Sequence, residues 1–263
     1  ESLEGNANII SVTDGYVAKG EFLIQKVLRC TLGIFSGNIY LETGINFNGL
    51  KNEIGVFAPA SSVLLETGFL RSLDARNFFS GYAEMLKHGL ISTSDHLAEL
   101  LSFDTENIDY SALRTMVGRS VQVKEDIVEQ DPKEHGIRKA LNLGHTIGHA
   151  FESLALAENR PVLHGYAVAW GLVCELYLSY LKAGFPKDKM RQTIQFIKEN
   201  YGAFAFAASN TTVLYELMLM QEKHCGIINF TLLKEVGDIC LNQTADKETI
   251  FEVFDFYREC MGV

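Results

Sequence analysis

The run Asn142-Leu143-Gly144-His145-Thr146-Ile147-Gly148-His149 sets two histidines four residues apart. On a helix that spacing stacks both imidazoles on one face. Imidazoles so placed can bind a divalent metal or relay protons; they also occur as plain core or surface histidines. The pair is not His-Glu-x-x-His, which disfavours a zinc protease. A third histidine, His164, precedes a helix opening at Gly165, and Glu84 lies within Gly81-Tyr82-Ala83-Glu84-Met85-Leu86-Lys87-His88. A catalytic zinc typically takes three N or O ligands and keeps one position open. Glu84, His145 and His164 offer such a set from three segments. Taken alone, Glu84 with Lys87 three residues on is also the pattern of a solvated surface pair.

Two cations stand out. Lys124 occupies the stripe of Val117, Val121 and Val128, where a core residue is expected. Either its stem is buried while the ammonium escapes to water, or the charge is aimed into a polar cavity. Arg138, one helical turn before Asn142, adds a fixed planar charge suited to a carboxylate or phosphate.

Long helices must carry these groups. Asp74 can cap a helix through Phe78, Tyr82, Met85, Leu86 and Leu90. Further helices are predicted over 94–102, 111–129, 139–157, 166–182, 187–200, 211–223 and 246–260. Within the 139–157 helix, Gly144 and Gly148 would each cost about 1 kcal/mol relative to Ala, so another helix or a ligand must approach closely to offset them. Ile227–Leu233 and Asp238–Leu241 look like a small hairpin turning near 235–237. Upstream, 61–66 reads as a short buried strand and 43–60 as loop. Residues 21–32 fit a short helix or a strand, and 33–40 a turn and strand. No Gly-x-Gly-x-x-Gly follows a strand.

Composition sets the class. The 263 residues are 47% hydrophobic and 21% charged, with four prolines, which is a globular composition. The longest apolar stretch, Tyr166–Leu181, is cut by Glu175, short of a membrane span. The first residues lack the basic and apolar segments of a signal peptide. A net charge of −10 argues against nucleic acid and anionic membranes as partners. The five cysteines, at 30, 174, 225, 240 and 260, form no Cys-x-x-Cys, which fits free thiols in a reducing, cytoplasmic compartment.

Taken together, these segments resemble the 3-dehydroquinate synthase family. The resemblance is carried by Thr43-Gly44-Ile45-Asn46 with Gly49-Leu50-Lys51-Asn52, by Gly81–Gly89, by Lys124, Arg138 and Leu141–His149, and by Leu163-His164-Gly165-Tyr166-Ala167-Val168-Ala169. Gly226–Phe230 and Gly237–Ile239 also fit, so the likeness covers roughly residues 43–263. It implies a mainly α fold. Residues 74–263 would form a helical metal- and substrate-binding domain with a small β-hairpin. Residues 1–73 would be a remnant of an N-terminal α/β nucleotide-binding domain, with 1–42 unmatched. It implies NAD+ and a divalent metal, Zn2+ or Co2+, as cofactors, and a homodimer. Glu84, His145 and His164 would be the metal ligands. Lys87, Lys124, Arg138, Asn142 and His149 would serve the substrate, with Lys51 and Asn52 on the cofactor side. The substrate would be a phosphorylated keto acid, 3-deoxy-D-arabino-heptulosonate 7-phosphate. The enzyme would be a carbon–oxygen lyase of the shikimate pathway that releases phosphate and feeds aromatic amino acid biosynthesis.

The sequence also departs from the family. Tyr40-Leu41-Glu42 stand where the family has Gly-Gly-Lys, which puts a carboxylate in place of a cofactor-facing lysine. No glycine-rich strand–turn–helix occurs in residues 1–42, and Gln221-Glu222-Lys223-His224 stand near the position of the family's Asp-Lys-Lys. The expectation is that these 263 residues bind metal but neither bind NAD nor make dehydroquinate. The rivals are another sugar phosphate cyclase such as 2-deoxy-scyllo-inosose synthase, a metal-dependent alcohol dehydrogenase of the same superfamily, and a non-catalytic member that keeps only the scaffold.

Overall fold

The computed structural model describes the backbone at residues 33–35, 45–47, 50–54, 64–221 and 226–263, with side chains from residue 67 onward except 221–225. The chain divides into two units, residues 1–78 and 79–263.

In the first unit, β1 (Gly33–Phe35), β2 (Ile45–Phe47), β3 (Leu50–Ile54) and β4 (Leu64–Glu66) make two antiparallel pairs, β1 with β4 and β2 with β3. The β2–β3 pair corrects the expectation of loop across 43–60. Asn48-Gly49 between the strands is the dipeptide that most favours a two-residue hairpin, and it outweighs the general polarity of the stretch. Lys51 and Asn52 lie on β3; their side chains are outside the described residues, as are the expectations for Tyr40-Leu41-Glu42 and for a nucleotide site in 1–42. A 3-10 turn, Thr67–Ser72, leads to α1 (Ala75–Ile91). Asp74 caps this helix, accepting from the Asn77 N–H at 3.0 Å.

The second unit continues α1 and adds α2 (Ser94–Ser102), α3 (Tyr110–Gln130), a 3-10 segment Ile137–Asn142, α4 (His145–Ala157), α5 (His164–Ala183), α6 (Lys187–Tyr201), α7 (Asn210–Gln221), β5 (Phe230–Glu235), β6 (Asp238–Gln243) and α8 (Lys247–Met261). The chain signals each boundary. Thr93, Asp109 and Asp246 accept backbone N–H bonds at the starts of α2, α3 and α8, and Gly184 and Gly262 end α5 and α8 in the left-handed region.

Helix α5 is the hub. It is apolar on nearly every side and packs against α4, α6, α8 and β5, the expected placement of a helix without a polar face. Phe151, Phe204, Phe206, Phe254 and Tyr257 form one aromatic cluster, with ring centroids 5.2–6.4 Å apart, that ties α4 to α8. The hairpin of β5 and β6 docks through Gly237, whose N–H donates to Leu90 O of α1 at 2.9 Å. Its first strand begins at Phe230, later than expected, and its second extends to Gln243. Among the described residues, no helix is long and apolar enough to cross a membrane.

One predicted helix is two elements. The run 139–157 breaks at Leu143-Gly144, with Gly144 at φ 79°. Gly144 is therefore not a helix-interior residue but the turn from which α4 starts. The close approach expected for it is present: a methyl group on Gly171 of α5 would collide with the Gly144 carbonyl.

Candidate metal and substrate site

Two backbone crossings bring the candidate ligands together. Where α1 meets α5, a methyl on Gly165 would collide with the Ser80 backbone, and the Gly165 N–H donates to Ser80 Oγ at 3.1 Å. Glu84 lies one turn beyond Ser80, and His164 immediately precedes Gly165. Where α4 meets α5, the Gly144–Gly171 contact sets the first turn of α4, which carries His145.

The side chains converge at these crossings. Glu84 Oε1 lies 3.3 Å from His145 Nε2 and 3.3 Å from His164 Nε2. The other carboxylate oxygen, Oε2, accepts from Lys87 Nζ at 2.5 Å. Each histidine is gripped from behind. His145 Nδ1 donates to Leu143 O at 3.1 Å, and His164 Nδ1 lies 3.2 Å from Glu152 Oε2. A carbonyl can only accept, so His145 carries a proton on Nδ1, and its Nε2 faces Glu84.

The donor set fits a divalent metal. Donors of a tetrahedral zinc, with bonds of about 2.0–2.2 Å, stand about 3.3–3.6 Å from one another. Both Glu84–histidine separations are 3.3 Å. His149 joins the group: candidate ligand atoms of His145, His149 and His164 all lie within 4.8 Å of one another. The sequence reading placed His149 with the substrate, and the structure sets its ring 5.3 Å from that of His145 and 5.7 Å from that of His164.

Burial and charge act against each other here. Burial would raise the Glu84 carboxyl, but the Lys87 cation and the two imidazoles outweigh it and hold the group well below its usual range. Lys87, only 4% exposed, is lowered, first by burial and then by the charge of Lys124, against the pull of Glu84. Burial and Lys87 lower His145. Burial also works against the charged form of His164, yet the bonds to Glu152 and Glu84 raise it to about 9.

The cationic residues are placed differently. Lys124 is in angular register with Leu113, Val117, Ser120 and Ile127 on the buried face of α3, yet it is exposed. The expected core position is thus exposed, although Ser120 and Ile127, one turn either way, are buried. The Lys124 charge reaches Lys87 and His88 of α1. Arg138 Nη1 donates to Pro132 O at 2.9 Å, and Asn142 Nδ2 donates to Glu134 Oε1 at 2.8 Å. Both side chains are thus held by the 131–136 loop and not by the histidine cluster. Asp131 shapes that loop, accepting from the N–H groups of His135, Gly136 and Arg138. Lys223 lies outside the described residues. A groove of about 1140 Å³ lined by Tyr177, Met190, Phe196 and Phe256 shares no residue with the cluster.

Sequence reasoning missed Glu152. The signal was present: positions 145, 149 and 152 recur on one face of α4, so a carboxylate continues the histidine stripe.

The chain is 57% identical over 223 residues to a 3-dehydroquinate synthase of Parabacteroides distasonis, covering 84% of this chain and 63% of the relative. It is 39% identical over 199 residues to a 3-dehydroquinate synthase of Oceanobacillus iheyensis, covering 75% of this chain and 55% of the relative. The chain thus spans less than two thirds of the length of these relatives. Among solved structures, a 2-epi-5-epi-valiolone synthase from Streptomyces hygroscopicus with NAD+ and Zn2+ bound superposes with a TM-score of 0.71 at 22% identity, covering 85% of this chain and 62% of that one. A 2-deoxy-scyllo-inosose synthase complexed with carbaglucose-6-phosphate, NAD+ and Co2+ gives 0.66 at 22% identity, covering 84% and 61%. These two share the fold. The family described as 3-dehydroquinate synthase C-terminal matches residues 81–224, which carry all four converging side chains, and the chain belongs to that family.

Proposed function

We propose that this chain supplies the metal- and substrate-binding part, residues 74–263, of a 3-dehydroquinate synthase, a carbon–oxygen lyase. It would convert 3-deoxy-D-arabino-heptulosonate 7-phosphate to 3-dehydroquinate with release of phosphate. The observation that carries this reading is the pair of 3.3 Å separations from Glu84 Oε1 to His145 and His164. Glu84, His145 and His164 would hold one divalent ion. When bound, the metal supplies a Lewis acid for a substrate oxygen, and NAD+ supplies transient hydride acceptance.

The chain's own residues do the rest. Lys87 keeps Glu84 ionised and puts a buried cation beside the substrate. Glu152 orients His164, as outer partners of metal-bound histidines do. His149, beside both histidines, is placed to hold and pass a proton as the phosphate leaves. Lys124, exposed on α3, is available to a carboxylate or phosphate. Arg138 and Asn142 would reach the substrate by exchanging their bonds to Pro132 O and Glu134 for bonds to its carboxylate. Lys51 and Asn52 would serve the cofactor side. The intact enzyme would work in the cytoplasm as a homodimer.

The test is phosphate release from the keto acid, with NAD+ and Zn2+, by a protein containing these residues. Release from the keto acid and not from glucose 6-phosphate supports the reading. The reverse preference would assign the site to a 2-deoxy-scyllo-inosose-type cyclase.

A further inference from the structure

Helix α4 begins at Gly144, which has no side chain with which to cap it. The first N–H groups of a helix lack partners within it and must find them elsewhere. Here they find Glu175. Its Oε2 accepts from the Gly144 N–H at 2.6 Å and its Oε1 from the Ile147 N–H at 3.0 Å. Glu175 is 0% exposed and sits mid-helix in α5, one turn beyond the Gly171–Gly144 contact that brings the backbones within its reach. A carboxylate in such surroundings needs a strong reason to be there.

The reason lies in one peptide group. The N–H of Gly144 and the carbonyl of Leu143 belong to the same planar unit. Glu175 holds its N–H end, and His145 Nδ1 donates to its carbonyl end at 3.1 Å. The orientation of that plane sets the direction in which the imidazole donates, and so where Nε2 points. A bond to the N–H also polarises the carbonyl, which makes it a better acceptor for His145.

We propose that Glu175 is a positioning residue for His145: from α5 it caps α4 and, through the Leu143–Gly144 peptide, fixes the tautomer and aim of the His145 imidazole. The metal part of this proposal rests on His145 being a ligand; the tautomer part does not.

The experiment uses the full 263-residue chain, 15N-labelled at histidine, with Glu175→Gln and Glu175→Ala beside it. In the metal-free wild type, His145 should hold a proton on Nδ1, bonded to Leu143 O. In both variants this should give way to a mixture, and Co2+ affinity should fall about 10–100-fold, as for loss of other outer partners of ligands. An unchanged His145 tautomer in a folded variant overturns the proposal, whatever happens to Co2+ binding. If neither variant folds, the wild type decides. A far-downfield Gly144 amide proton and a slowly exchanging His145 Hδ1 support it; an ordinary Gly144 shift or a freely exchanging Hδ1 overturns it. A wild type that binds no Co2+ sinks the ligand reading of His145 and leaves the tautomer result to judge Glu175.

Discussion

On the α4–α5 side of the cluster, backbone lies directly on backbone. Gly171 leaves no room for a methyl group beside the Gly144 carbonyl, Glu175 bonds the first N–H groups of α4, and Leu143 O fixes His145. On the α3 side, Lys124 is exposed, and Arg138 and Asn142 bond to a loop shaped by Asp131. The difference suits the roles proposed for the two sides. A metal accepts its donors only within a narrow range of distance and angle, so those donors need supports with no freedom. A cation that attracts an anionic group acts through a field falling slowly with distance, so it works from a flexible stem in water.

Packing at the α4–α5 crossing should break first. Gly171→Ala places a methyl against a backbone carbonyl that cannot swing aside. The cost should exceed the about 1–3 kcal/mol usual for overpacking, because two helices must move apart. Chemical denaturation should show a large fall in the midpoint, and Co2+ binding should vanish with it. A midpoint equal to wild type would mean that the crossing is looser than the contact implies.

Next in size is the proposed ligand set. His145→Ala should leave a folded chain that no longer retains stoichiometric metal after dialysis, measured by elemental analysis. Full retention would count against the Glu84, His145 and His164 set and would move the third ligand to His149, whose donor atom lies within 4.8 Å of that of His164.

How legible this side was depends on which physical signal carried it. The helices were readable because apolar residues recur at helical spacing and Asp74 marks the start of the first; the caps at Thr93, Asp109 and Asp246 emerged only with the structure. The gathering of Glu84, His145 and His164 followed from residue type and family spacing. The break at Gly144 was not readable. Periodicity runs straight through it, and only the contact with Gly171, 27 residues away in the sequence, forces the turn. Glu175 was noted merely as a charge interrupting an apolar run, since nothing local shows that it faces the start of another helix. Lys124 was seen as anomalous, but its exposure depends on how other elements pack against α3, which the residues of α3 alone do not show.

The pH dependence of stability should separate the buried carboxylates. Burial raises Glu175 to about 8, against the pull of the backbone N–H groups of Ile147, Gly144 and Thr146. A folded pKa above the unfolded value means that folding takes up a proton. The stabilisation is complete below about pH 4.5 and is lost as pH rises through about 8. Glu84 has the opposite sign: its folded pKa is depressed, so its contribution is present above the unfolded value and is lost as pH falls through the folded one. His164, raised to about 9, also loses stabilisation with rising pH, but only above its ordinary value near 6.5. Between pH 4.5 and 6.5 Glu175 therefore works against the histidines His88, His96 and His145, whose lowered folded pKa values make stability rise with pH up to about 6.5. With metal chelated, the stability of wild type minus that of Glu175→Gln should decline with rising pH across that window, because the histidine contributions cancel in the difference. Parallel curves would mean that Glu175 titrates as it does in the unfolded chain.

The smallest effect should come from Lys124. Exposed side chains away from caps and cores usually change stability by no more than about 0.5 kcal/mol, so Lys124→Ala should unfold with nearly the wild-type midpoint. Its signature should appear instead at Lys87, whose ammonium the Lys124 charge disfavours. Removing that charge should raise the Lys87 pKa, read from the side-chain 15N resonance of Lys87. The rise should shrink in high salt, because at least one partner of the pair lies in water. Lys87→Ala would behave in the opposite way: it strips Glu84 of the cation bonded to Oε2 and should be felt in folding as well as in charge. If Lys124→Ala cost as much stability as Lys87→Ala, the two sides of the cluster would be built alike, and the contrast between a packed histidine wall and an exposed cation would fall.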